Sequence, residues 1–426
     1  MNITKPMTPG KLPGLQFLDV SFNQDQGCFA VAHDQGFLVY NTNPIDLRVR
    51  RFFAPSSGSG SGIGQISMLH RTNYLALVGG GKSPRFPSNK VIIWDDLKRK
   101  SSLSLNFMSP VLKVLLSRIR IVVVLRNQVL VYEFAAPPKR IAAYETIDND
   151  HGLADLSVYS TLVHLPSSAS ISSMSSSESL SSPREYPKGQ ILAFPGRTIG
   201  QIQLVDVSPE GQEKNSISII KAHKSRIRCI TLNSTGTLIA SASETGTIIR
   251  VHSTHTTALL YEFRRGINRA VITSMSFSPN ESKLAVLSDK NTLHVYNLIQ
   301  SNAKLGADSY PEEDLSSHFP SNRQHMLNKL NLPFPIPNYF QSTWSFCSIN
   351  TNHFHTDANG NEDRAVDNGV IGWSGNNSVI IVWKTKRIWE KYDIVESSKH
   401  RTEESPSTSG YELARYSWKS LDPQSG

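Results

Sequence analysis

The sequence predicts an all-β fold, a seven-bladed β-propeller in a single domain with long loops, on three observations. Short runs of five to eight residues, rich in Val, Ile, Leu, Phe and Tyr, recur at a spacing of about ten residues and read as strands. These runs fall into groups of four with a period of about 40 residues, the repeat expected of propeller blades. Gly, Asn, Asp and Ser punctuate them, and no long amphipathic helical pattern intervenes.

The strands follow in order. FLDVSF (17–22), CFAVAH (28–33) and FLVYN (37–41) open the first blade, and YLALVGG (74–80) and KVIIWDD (90–96) belong to the second. VLKVLLS, IRIVVVL and QVLVYEF lie between 111 and 134. The fourth blade, roughly 150–222, is the least regular. The clearest is 225–263, and the sixth begins with 271–298. Both resemble WD40 repeats: an Ala-His pair before the first strand of the fifth blade, an N-S-T or S-P-N turn, a small-residue strand, then an aromatic- or His-bearing strand. The Trp-Asp dipeptide itself occurs only at Trp94-Asp95. YELARYSW supplies a final strand.

Three segments break the pattern. Residues 166–188 are Ser-rich and are expected to form a disordered loop in blade four. Residues 300–343 separate the third and fourth strands of blade six and far exceed a hairpin turn, a length that points to a functional loop. Residues 397–410 form a polar insertion in blade seven. With a further insertion at 351–365, they leave open whether the first and last blades share strands.

Composition bounds the function. The chain has 426 residues, 38% hydrophobic and 19% charged, which suits a β-rich protein. Its formal net charge of +9 calls for an anionic partner: nucleic acid, an acidic protein or an anionic membrane. Cys28, Cys229 and Cys347 form no CxxC pair, so a disulfide framework or zinc site is not expected and a reducing compartment fits. The N-terminal MNITKPMTPGKLPG lacks the apolar core of a secretory signal. No run of 18 apolar residues occurs, so membrane contact is expected to be peripheral. GGGKS (79–83) ends like a Walker A motif, but Ala76 stands where the earlier glycine is needed. GSGSGIG (58–64) does not satisfy G-x-G-x-x-G, and neither HExxH nor GxSxG occurs. The reading is therefore of no enzyme, no cofactor and no metal. Basic and aromatic residues are not interleaved, which argues against nucleic acid.

The functional signal is YEFRRG, 261–266, at the end of the fifth blade. Neighbouring side chains on a strand point to opposite sides, so Arg264 and Arg265 cannot share one pocket and are read as serving two. Arginine's planar fork suits phosphate through paired, charge-assisted hydrogen bonds. Gly266 is expected to allow a sharp turn. Ser243 and Thr247 offer hydroxyls, Gly246 offers unobstructed backbone, and the S-xxx-T spacing recurs at Ser288 and Thr292 one blade later.

Phe263-Arg264-Arg265-Gly266, the LVGGGK and VIIWDD runs and IWEKYDIVE together resemble the PROPPIN family of phosphoinositide-binding propellers, most closely its fungal SVP-like branch. The resemblance covers nearly the whole chain and is strongest over 215–298. It implies phosphatidylinositol 3-phosphate and 3,5-bisphosphate as ligands. The first pocket would use Arg264 with His223, Ser243, Gly246, Thr247 and Arg250. The second would use Arg265 with Ser288, Thr292 and His294. The bland alternatives are a structural hydrogen-bond network for His223 and a core role for His294. A histidine beside phosphate would be favoured in its charged form, so acid is expected to tighten binding.

The family also implies that a long loop of blade six enters the bilayer. The matching stretch is HMLNKLNLPFPIPNYF (325–340), with Leu332, Phe334, Ile336, Tyr339 and Phe340 as insertion residues. Met326, Leu327, Leu330 and Leu332 can make one apolar face of a short helix, after which Pro333, Pro335 and Pro337 exclude a helix and impose an extended form. Full desolvation of each apolar side chain would contribute about 1.5–3 kcal/mol, less the cost of ordering the loop. Packing back on the propeller is the competing fate. The acidic PEED (311–314) is expected to stay in water. Implied partners are phosphoinositide-containing membranes and autophagy proteins such as a large lipid-transfer protein. The implied location is the cytoplasm, peripherally on vacuolar, endosomal and pre-autophagosomal membranes. The rival reading is a propeller scaffold for protein–protein contact without specific lipid binding.

Overall fold

The computed structural model describes residues 15–55, 60–158, 189–298, 321–324, 342–355, 367–397 and 410–421. The expected insertion residues Leu332, Phe334, Ile336, Tyr339 and Phe340 lie outside this set, as do all of 166–188 and most of 300–343 and 397–410.

Seven blades, each with four antiparallel strands, form the propeller, and in all but blade six those four strands are consecutive in the chain. Blade one holds β1 (Phe17–Phe22), β2 (Cys28–His33), β3 (Gly36–Asn41) and β4 (Asp46–Phe52). Blade two holds β5 (Ile63–Met68), β6 (Tyr74–Gly79), β7 (Lys90–Asp95) and β8 (Lys100–Asn106). Blade three holds β9 (Lys113–Leu116), β10 (Arg120–Val124), β11 (Gln128–Glu133) and β12 (Arg140–Glu145). Blade four holds β13 (Asp155–Leu156), β14 (Ile191–Pro195), β15 (Gln201–Asp206) and β16 (Ile217–Lys221). Blade five holds β17 (Ile227–Leu232), β18 (Leu238–Ser243), β19 (Ile248–Ser253) and β20 (Leu259–Arg264). Blade six holds β21 (Ile272–Phe277), β22 (Lys283–Ser288) and β23 (Thr292–Asn297). Between β23 and its fourth strand come β24 (Arg323–Gln324) and β25 (Thr343–Trp344), then β26 (Cys347–Asn350) completes the sheet. Blade seven holds β27 (Gly369–Gly375), β28 (Ser378–Trp383), β29 (Ile388–Glu396) and β30 (Tyr411–Ser420).

Burial follows position within a blade. The second strand of blade one, CFAVAH, is buried along nearly its whole length, whereas the outer β4, DLRVRRF, alternates exposed and half-buried. Both faces of a blade pack on neighbours, so its inner strands carry apolar side chains on both faces and only the rim alternates. The apolar clusters accordingly bridge adjacent blades: Ile249 and Phe263 of blade five pack with Met275, Leu284 and Tyr296 of blade six.

Blade four adds one element that the sequence reading did not foresee, α1 (Pro209–Lys214), between β15 and β16. Its local chemistry is ordinary: Ser208 caps it by accepting from the Gly211 N–H at 3.0 Å, Pro209 opens it, and Asn215 ends it in the left-handed conformation.

Among the described residues, the ring closes without shared strands. Blades one and seven each contain four strands of their own. Their interface is side-chain packing of Phe29, Leu38 and Tyr40 against Ile380, Val382 and Trp389. Tyr40 Oη donates to the Leu421 carbonyl at 3.0 Å and Arg387 Nη1 to the Leu15 carbonyl at 3.0 Å. The β1–β2 turn adds longer ties. Gln24 Nε2 donates to the carbonyls of Met68 in blade two and Leu116 in blade three, both at 2.9 Å. Gln26 Oε1 accepts from the Trp373 N–H of blade seven at 2.7 Å and from Ser276 Oγ of blade six at 3.2 Å.

Candidate functional site

The strand β20 sets the two arginines. Phe263, one residue earlier, is 1% exposed and stacks on Tyr296 of blade six with centroids 4.6 Å apart. Tyr296 Oη donates to the Arg264 carbonyl at 3.2 Å, and the Arg265 N–H donates to the Thr247 carbonyl at 2.9 Å. With the backbone held at three successive residues, the side chains have little freedom in where they leave it. Arg264 Nε donates to Ser342 Oγ at 2.8 Å. Arg265 runs elsewhere: its Nε donates to the Gly246 carbonyl at 3.0 Å and its Nη2 to the Asn268 carbonyl. The divergence expected of consecutive strand residues is present.

Arg265 is 9% exposed, and its hydrogen-bond partners are neutral carbonyls. Burial, foremost, draws its pKa below the ordinary arginine value. The opposing charge of Asp289 acts on it only secondarily, and the guanidinium has donors left over that an anion could take.

Of the residues singled out from the sequence, Gly246 and Thr247 touch Arg265 through their carbonyls. Gly246 has φ +58°, and a Cβ there would meet the Ala270 carbonyl oxygen at 1.8 Å, so glycine is required. Gly266 differs from expectation: a Cβ there would meet nothing within 4 Å and its φ is not left-handed, so the turn does not depend on glycine. Ser243 Oγ lies 2.9 Å from Thr245 Oγ1. Thr247 is half-buried, with its carbonyl engaged by Arg265. Arg250 is turned to Glu262, its cross-strand neighbour, through Nε and Nη2 at 2.8 Å each, while Nη1 donates to the Ala222 carbonyl at 2.6 Å. His223 Nε2 lies 3.0 Å from Ser241 Oγ, the structural network that was the bland alternative for it.

On blade six, Ser288 Oγ and Thr292 Oγ1 are 2.8 Å apart, so the S-xxx-T spacing does bring two hydroxyls together. His294 Nδ1 lies 3.0 Å from Ser345 Oγ. Burial first, then the charges of Arg265 and Arg323, hold His294 at a pKa of about 4. His223 is likewise pulled to about 4, by burial and then by Arg250. Both rings are therefore neutral at physiological pH before any ligand binds. Arg265 thus contacts the Gly246 carbonyl, and its charge acts on His294 of blade six.

Sequence reasoning missed Glu262, Ser342 and Ser345. Glu262 was recoverable, because it stands directly opposite Arg250 in the β19–β20 register. Ser342 and Ser345 follow a long insertion, and nothing in the sequence ties them to blade five or blade six. Among the described residues, no group of three His, Cys, Asp or Glu could hold a metal, and no helix is long and apolar enough to cross a membrane.

Fold and site together define a seven-bladed propeller with an arginine pair at the end of blade five, flanked by hydroxyls on blades five and six. The PROPPIN family model matches residues 20–352, and the chain belongs to that family of phosphoinositide-binding propellers of autophagy. Among its relatives, SVP1-like protein 2 of Debaryomyces hansenii is 62% identical, with 96% of each chain covered. SVP1-like protein 2 of Saccharomyces cerevisiae is 39% identical over 95% of this chain and 96% of that one. Hsv2 of Kluyveromyces marxianus, a crystal structure, is 25% identical with a TM-score of 0.64 over 96% of this chain and 99% of that one. KlAtg21, solved with the coiled-coil of AgAtg16, is 18% identical with a TM-score of 0.63 over 96% of this chain and 100% of its own, a likeness of fold.

Proposed function

We propose that this protein is a phosphoinositide effector that binds phosphatidylinositol 3-phosphate and 3,5-bisphosphate through two pockets flanking Arg264 and Arg265, without catalysis. The single observation that carries the reading is Arg265: a guanidinium almost fully buried among neutral carbonyls, one residue from a second arginine that leaves in another direction. Hydroxyls from Ser243, Thr247, Ser288 and Thr292 stand on the blades to either side and can donate to phosphate oxygens. Arg250 would contribute to the first pocket, with Glu262 setting its direction. On the membrane, Leu332, Phe334, Ile336, Tyr339 and Phe340 would enter the bilayer. Weak headgroup contacts and apolar contact reinforce one another once any of them forms.

The protein would then act as a peripheral scaffold on vacuolar, endosomal and pre-autophagosomal membranes and recruit autophagy proteins, a large lipid-transfer protein among them. Flotation with liposomes carrying each phosphoinositide isomer tests the lipid reading. Binding is expected only with the 3-phosphate and the 3,5-bisphosphate, and an Arg264→Thr/Arg265→Thr variant should lose it. Binding to every anionic liposome, retained in the variant, would contradict the reading and leave the protein-scaffold function alone.

A further inference from the structure

The root of the blade-six insertion does not stay on blade six. β24 and β25 pair with each other, Gln324 opposite Thr343 and Arg323 opposite Trp344. This two-stranded ribbon then adds to the rim of blade five: β25 runs parallel to β20, Phe263 against Thr343 and Arg264 against Trp344, making a six-stranded sheet. Three further contacts hold the ribbon. Asn322 bonds the backbone of Asn297 in both directions, accepting from its N–H at 2.8 Å and donating to its carbonyl at 2.7 Å. Ser342 Oγ accepts from Arg264. Beyond the ribbon, Ser345 meets His294, and fully buried Phe346 lies edge-on to Tyr411 of the long blade-seven strand β30.

Strand addition spends backbone hydrogen bonds on fixing a direction. Here it fixes Gln324 and Thr343, which flank 325–341, beside the strand that carries the arginine pair, one blade away from where chain order alone would put them. From this geometry we infer that the β24–β25 ribbon is a mount that positions the insertion relative to the headgroup site, with Asn322 and Thr343 as positioning residues. The inference rests on the lipid reading above. Its physical content is effective concentration: a tethered apolar contact helps only when the tether presents it where the first contact forms. Undocking the ribbon should therefore weaken binding to a bilayer and leave binding of a free headgroup intact.

The test uses the full chain as wild type, Asn322→Ala and Thr343→Pro, the second removing an N–H from the added strand. Two readouts are taken on each: calorimetric affinity for soluble inositol 1,3-bisphosphate, and partitioning onto vesicles containing phosphatidylinositol 3-phosphate. Thermal unfolding midpoints are measured alongside. The expected result is vesicle partitioning lower by about tenfold in both variants, with headgroup affinity within twofold of wild type. Unchanged partitioning would overturn the inference while leaving the lipid reading standing. Equal loss of both readouts would also overturn it, because the ribbon would then be part of the pocket or of general stability. A wild type that binds neither probe would overturn the lipid reading itself, and this inference with it.

Discussion

At the scale of single residues, the site is a balance between buried charge and buried neutrality. His223 and His294 stand next to cationic arginines and are held at a pKa of about 4, so the acid-tightened binding expected from the sequence does not follow. Raising either ring to titrate near pH 7 would require about three pKa units, roughly 4 kcal/mol, from the ligand. Headgroup affinity is predicted not to increase between pH 8 and 6, as calorimetry at the two values would reveal. The same shifts act on stability with a definite sign. His33, His223 and His294 have folded pKa values of about 4, below the ordinary 6.5 of an unfolded chain. The unfolded state takes up protons first, so stability is full above about pH 6.5 and is lost as pH falls toward 4. Denaturation midpoints should drop across that window. Gly246 offers a sharper test. Gly246→Ala drives a Cβ into the Ala270 carbonyl at a left-handed φ, at a cost of about 1–3 kcal/mol. A headgroup titration of the variant should register weaker binding, since the displaced loop carries the carbonyl that holds Arg265. The meeting of the Ser288 and Thr292 hydroxyls was legible because their S-xxx-T spacing is local. The bond from Arg265 to the Gly246 carbonyl was not, because any residue could supply that carbonyl.

Among the elements, the strands were legible and their ends were not. Runs such as CFAVAH and QVLVYEF carry enough apolar residues to identify themselves. The two-residue strands β24 and β25 carry no such signal; they exist because blade five presents an open rim, which is a tertiary fact. The helix α1 escaped notice for a different reason: six residues are too few for helical periodicity, although S-P-E-G was a legitimate start signal. Blade seven shows what an unremarkable strand can conceal. Glu390 on β29 is fully buried and accepts from His355 Nε2 at 3.2 Å, Trp383 Nε1 at 2.7 Å, Tyr392 Oη at 2.8 Å and Arg415 Nη1 at 2.9 Å. Burial pushes its pKa up, but these partners outweigh it and hold the carboxyl at about 2. Its stabilising contribution is present above the unfolded carboxylate range and is lost only as pH falls through about 2. Glu390→Gln would remove the carboxylate charge that accepts from buried Arg415 and is predicted to cost about 3–5 kcal/mol, measurable as a lower urea midpoint.

For the molecule as a whole, the seven-fold period predicted the architecture, since each blade cannot bury its faces alone and must stack. How the ring closes could not be read in advance. The answer lies in the packing of blades one and seven and in one turn, where Gln24 and Gln26 reach blades two, three, six and seven. Gln26→Ala would strip the Trp373 N–H of its acceptor, at a cost of about 1–3 kcal/mol. Amide exchange in the variant should quicken in β27, with little change in blade three. A closed ring matters to the proposed function because it would fix blades five and six against each other, and the two proposed headgroup pockets with them.

Two pockets are the central claim, and stoichiometry addresses it most directly. Calorimetric titration with soluble inositol 1,3-bisphosphate should give two ligands per chain for the wild type. Arg264→Thr and Arg265→Thr should each reduce the count to one, and the double variant should bind none. A wild type that saturates with a single ligand, or single variants that each abolish all binding, would contradict two separate pockets and make the arginine pair one site.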